Sequence, residues 1–144
     1  MQKKTKDNFV IDIESATKSM YSSALTKDHP IYSGIPCEPN EVFYYETIQV
    51  NVNESGMYTV VSSSSNIIVS SYIYEYDFYP LIPFGNLLPH NDNGCNSRPY
   101  PLTVRLKNNI RYILLMTTCS QLEKGNFSIQ IFGRSNVSFE RVSK

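Results

Sequence analysis

The sequence predicts an all-β domain, an antiparallel β-sandwich of about seven or eight strands. Three observations carry this expectation. From about residue 42 onward, apolar side chains recur at every second position, the period of a strand with one dry face. The chain holds 11 Tyr and 7 Phe but no Trp, a balance that suits half-buried strands. Clusters of Asn, Asp, Ser, Gly and Pro punctuate the alternation where turns are needed.

The elements follow in order. Residues 1–20 are mostly polar, with Phe9, Ile13 and Met20 permitting one helical face, so they read as a linker or a short helix ahead of a domain over 21–144. Tyr21 to Leu25 forms an edge strand, a turn falls at Asp28-His29-Pro30, and Ile31-Tyr32 follows. In Tyr45 to Val52 the residues Ile48, Val50 and Val52 share one face, and Asn53-Glu54-Ser55-Gly56 turns the chain into Met57 to Ser62. Ile67 to Tyr79 alternates again and places Tyr72, Tyr74 and Tyr76 in one stripe. Pro80 to Pro101 holds too many prolines for a regular element and reads as a structured crossover loop. Leu102 to Leu106 is the cleanest amphipathic strand, Tyr112 to Thr118 is apolar on both faces, Phe127 to Phe132 alternates, and Val137 to Val142 closes the sheet.

A chain of 144 residues makes one domain that buries roughly 70% of its unfolded surface. Thirteen basic and thirteen acidic side chains leave a formal charge of zero, which removes the electrostatic case for nucleic acid or an anionic membrane. No stretch reaches the roughly 18 apolar residues of a membrane span, so direct membrane insertion by this chain is not expected. Met1 to Met20 lacks the apolar run of a signal peptide. Either the protein is cytoplasmic, or the chain is cut from a longer precursor with its export signal upstream, and the second reading is preferred.

No catalytic machinery is recognisable. His29 and His90 sit beside proline in turn-like contexts and read as solvated loop histidines, and the serines Ser62 to Ser65 read as a polar turn. A hydrolase built on His90, Asp92 and a nearby serine is the least favoured reading. Cofactors are not expected; calcium would find its oxygen ligands at Asp92 and Asp77, in Asx-rich surroundings that more often form turns. Cys37, Cys95 and Cys119 allow three single disulfides, and spacing does not choose among them. Sequons stand at Asn53, Asn126 and Asn136, on turn or outward positions open to N-glycans. Tyr72, Tyr74, Tyr76 and Tyr79 are either sheet-margin packing or an aromatic platform for sugars.

The order of several segments resembles the bacterial pre-peptidase C-terminal domain and related extracellular repeats of animal surface and secreted proteins. These are Tyr21-Ser22-Ser23-Ala24-Leu25, Tyr44 to Val50, Gly56-Met57-Tyr58-Thr59, Tyr72-Ile73-Tyr74, Asn86-Leu87-Leu88, Tyr112 to Thr118 and Gly125 to Ile129. The resemblance implies a jelly-roll-like sandwich, secreted or on an ectodomain, that serves as an accessory, binding or adhesion module. Its acidic loop appears here as Asn91-Asp92-Asn93, with less charge. Cys119 stands where such repeats carry an aromatic residue, which marks it as the unpaired cysteine and favours a Cys37–Cys95 bridge. That bridge would close a loop of about 58 residues and stabilise the fold by roughly 4 kcal/mol.

The resulting expectation is a non-catalytic extracellular module with a protein or glycan partner and flanking domains in the full-length protein. The alternatives are a carbohydrate-binding module using the tyrosine stripe and a structural spacer.

Overall fold

A computed structural model describes residues 16–34, 40–88 and 101–142. Nine strands lie in these residues: β1 (Thr17–Leu25), β2 (Ile31–Tyr32), β3 (Phe43–Val52), β4 (Gly56–Ser63), β5 (Val69–Glu75), β6 (Leu102–Leu106), β7 (Tyr112–Thr118), β8 (Gly125–Gly133) and β9 (Val137–Arg141). They form two antiparallel sheets. One runs β1-β8-β4-β6; the other runs β2-β3-β7-β5, with β9 joining β2 along the free edge of β3. Every connection except β2 to β3 carries the chain to the opposite sheet. The all-β sandwich is therefore as expected, with the interleaved strand order of a jelly roll.

Alternation decides which side chains meet between the sheets. Ile48, Val50 and Val52 of β3 face Tyr58 and Val60 of β4, Leu102 and Leu106 of β6, Leu114 and Met116 of β7, and Ile129 and Ile131 of β8 in one buried cluster. Glycine is required at Gly133, where a Cβ would come within 2.1 Å of the Tyr58 ring. The ring thus packs directly on bare backbone, and its hydroxyl donates to Glu54 O at 2.5 Å, pinning the β3–β4 turn. The Tyr112 hydroxyl holds the β6–β7 turn in a comparable way, accepting a hydrogen bond from Lys107 N at 2.9 Å.

Three boundaries differ from expectation. Residues 17–20 extend β1 instead of ending a helix, because their register continues the pairing of β1 with β8 from Thr17 opposite Gly133; residues 1–15 lie outside the described residues. The two-residue β2 brings the strand count to nine. The strand expected over Ile67 to Tyr79 spans only Val69–Glu75, since Tyr76 turns to a left-handed φ of 74°.

Candidate functional site

The β5 exit builds an unusual surface. Tyr76 donates its backbone N–H to Arg111 O at 2.7 Å, and Arg111 returns with Nε to Tyr76 O at 2.8 Å and Nη2 to Asp77 Oδ1 at 3.2 Å. The chain then comes back along β5: Glu75 N–H bonds Asn86 O at 3.0 Å, Leu88 N–H bonds Ile73 O at 2.9 Å, and Tyr74 forms a bridge with Leu87. Inside this base, Phe78 sits among Tyr32, Tyr45 and Tyr74 with ring centroids 5.0–5.4 Å apart. The Tyr74 hydroxyl donates to Pro83 O at 2.8 Å. Between these anchors the loop is closed by Ile82 N–H to Tyr79 O and Gly85 N–H to Ile82 O. A well-bonded loop thus holds its large apolar side chains outward: Leu81 is 94% exposed, Ile82 61%, Phe84 56%, and Tyr76 and Tyr79 about half. Exposed large side chains next to one another on an ordered loop are characteristic of contact surfaces.

A second feature lies on the same side of the β3–β7–β5 sheet. A hollow of about 170 Å³ is lined by Tyr32, Gly34, Glu41, Phe43, Tyr72 and Cys119 among others. Gly34 has a φ of 80° and lies against the Phe43 ring, where a Cβ would stand 2.6 Å away. Among the described residues the buried Tyr32 hydroxyl has no partner at ordinary hydrogen-bond geometry; against the larger effect of burial, the nearby Thr117 hydroxyl, which donates to Tyr44 O at 2.8 Å, draws its pKa downward. Burial pushes the Tyr32 and Tyr74 hydroxyls well above the ordinary tyrosine range.

The third feature is a buried carboxylate. Glu46 is fully enclosed, and its Oε1 accepts from His29 Nε2 at 2.8 Å and Ser23 Oγ at 3.0 Å, while Oε2 accepts from the Tyr21 hydroxyl. Arg141 Nε approaches to 3.8 Å. His29 is buried, not solvated as its loop context led one to expect. Thr26 N–H points at His29 Nδ1 at 3.0 Å, so the ring proton is assigned to Nε2. Ser23 and His29 both donate to the same oxygen, and neither imidazole nitrogen faces the serine hydroxyl as a base. The cluster therefore ties β1, β3 and β9 together and does not form a nucleophile–base pair. Burial, the bond to Glu46 and its charge push the Tyr21 hydroxyl up to about 12.

The expected site residues fare unequally. Tyr72 and Tyr74 are buried at 6% and 0% exposure, whereas Tyr76 and Tyr79 are exposed. The four-tyrosine platform is thus corrected: two rings belong to the aromatic cluster and two to the loop. Asp77 is ion-paired with Arg111, and no metal-binding group of His, Cys, Asp and Glu occurs among the described residues. Asn53, Asn126 and Asn136 are exposed, and Asn53 Nδ2 donates to Asn136 O at 3.2 Å. Cys119, expected to be the free thiol, is disulfide-bonded. Cys37, Cys95, His90 and Asp92 lie outside the described residues.

Two features escaped the sequence reading although each left a signal. Glu46 shares the parity of Ile48, Val50 and Val52, which marks a charge on a core-facing position. The run from Phe78 to Leu88 contains no charged residue, unusual for an exposed loop. No helix among the described residues is long and apolar enough to cross a membrane. No protein-family model matches the chain, and no curated protein matches it either.

Proposed function

We propose that this chain is a non-catalytic binding or adhesion module that works outside the cell as one domain of a longer protein, with the 76–88 loop as its contact surface. The observation that carries this reading is the pairing of a rigid base with an apolar tip. Phe78 and the backbone bonds at Glu75, Tyr76 and Leu88 hold the loop in place, so Leu81, Ile82 and Phe84 are presented with little ordering left to pay for on contact. The jelly-roll-like strand order agrees with the resemblance to pre-peptidase C-terminal domains and extracellular repeats. A disulfide at Cys119 and three exposed sequons agree with an oxidising, glycosylating compartment.

The test is binding of the purified, labelled domain to cell surfaces, comparing it with the double variant Leu81→Ser, Phe84→Ser. Both side chains face solvent, so circular dichroism and melting should be unchanged while binding is lost. A correctly folded double variant that binds as well as the original would remove the loop from the function.

A further inference from the structure

We infer that the tip docks on the interface of a lipid bilayer, with Leu81, Ile82 and Phe84 entering to headgroup depth; this rests on the reading of the loop as the contact surface. The three side chains of the tip are largely exposed and together present an apolar patch of roughly a few hundred Å². A stable protein interface takes about 800 Å² per partner, so the tip alone is too small for one, while peripheral insertion has no such threshold. From Phe78 to Leu88 there is no Asp, Glu, Lys or Arg that insertion would have to desolvate.

Part of the loop backbone is already satisfied internally, which lowers its cost of entering an apolar medium. Pro80 and Pro83 have no N–H, and the amides of Ile82, Gly85 and Leu87 bond Tyr79 O at 3.0 Å, Ile82 O at 2.9 Å and Phe84 O at 3.4 Å. Tyr76 and Tyr79 precede the apex with about half their surface exposed, placing amphipathic rings where the headgroups would lie. Asp77 at the base is already paired with Arg111. Docking of this kind needs no spanning segment, so the lack of an apolar run in the sequence does not bear on it. With a formal charge of zero, attraction to the surface is apolar and depends neither on anionic lipid nor on low salt.

Flotation of the full chain with pure phosphatidylcholine vesicles tests this directly. The chain should float at low and at high salt, and Leu81→Ser and Phe84→Ser should each weaken partitioning about tenfold. Because the chain has no Trp, Leu81→Trp supplies a single reporter whose emission should shift to the blue when vesicles are added. Failure to float together with an unshifted reporter overturns the inference, as does flotation that requires anionic lipid and disappears in salt. If cell-surface binding then still depends on Leu81 and Phe84, the tip stands as a contact surface with a protein partner. If it does not, both readings fall.

Discussion

The β3–β7–β5 sheet carries two apolar layers that solve the same burial problem with different chemistry. Toward the other sheet, Ile48, Leu114, Met116, Ile129 and Ile131 make an aliphatic core enclosed by regular strands on both sides. On the far face, Tyr32, Tyr45, Tyr72 and Tyr74 with Ile113 and Leu115 make an aromatic layer, against which Phe43, Phe78 and Leu87 pack. The lid over this layer is irregular chain, whose carbonyls are free to accept hydrogen bonds, as Pro83 O does from Tyr74. A sheet offers no such acceptors, since its carbonyls are spent in the ladder. Buried tyrosine therefore sits where irregular chain is in reach of its hydroxyl, as Tyr74 does under Pro83 and as Tyr58 and Tyr112 do where the between-sheet core meets the turns at Glu54 and Lys107. The difference also predicts that the aromatic layer is the more compliant of the two.

Adjacent residues of β7 allow the sharpest break of that comparison. Leu114 and Leu115 are both fully buried, one in each layer. Leu114→Ala leaves a cavity walled by strands that cannot close on it, and should cost about 3–5 kcal/mol. Leu115→Ala lets the loop side settle and should cost about 2–3 kcal/mol. Denaturant unfolding of the two variants measures the gap. Equal losses would mean that the loop is as stiff as a second sheet.

The aliphatic layer was legible in the sequence and the aromatic one was not. Period-two alternation locates Ile48, Val50, Val52, Leu102 and Leu106 because their opposite faces are polar. The apolar character of Tyr112 to Thr118 on both faces implied covers on both sides, yet nothing local identified the second cover. It is supplied by Phe78 and Leu87, whose irregular segment has no periodicity to read. For the same reason the tyrosine stripe stayed open between packing and platform: Tyr74 and Tyr76 are two residues apart, and only the left-handed turn at Tyr76 separates buried from exposed. Glu46 is a different failure, a tertiary one, since its donors arrive from Tyr21, Ser23 and His29 and its charge partner from Arg141.

Alkaline titration should loosen the two layers unequally. Tyr32, Tyr45 and Tyr74 of the aromatic layer all have hydroxyls raised above the ordinary value of 10.0 by burial, and Tyr21 beside Glu46 is raised to about 12. A raised folded value means that the native state holds these protons more tightly than the unfolded chain. Their contribution to stability is thus complete below pH 10 and falls progressively as pH rises above it, that of Tyr21 being lost as pH passes about 12. Tyrosinate absorbance and unfolding free energy, followed together, should show late ionisation coinciding with loss of stability. Ionisation of all tyrosines near 10, with unchanged stability, would show that solvent reaches the layer freely.

The smallest expected effects are the most diagnostic, because they have opposite signs. Tyr74→Phe removes a hydroxyl that donates to Pro83 O, leaves that carbonyl short of a donor and should destabilise the domain by about 1 kcal/mol. Tyr32→Phe removes a buried hydroxyl that has no partner among the described residues, so the desolvation cost disappears with it and stability should rise by about 1 kcal/mol. Ring packing against Tyr45 and Phe78, at 5.2 and 5.4 Å, is kept in the second variant. Denaturation midpoints measured side by side resolve the two signs. A loss in Tyr32→Phe would mean that its hydroxyl is in fact satisfied, with Thr117 the nearby hydroxyl to test, and the aromatic layer would then hold no unpaired buried hydroxyl among the described residues.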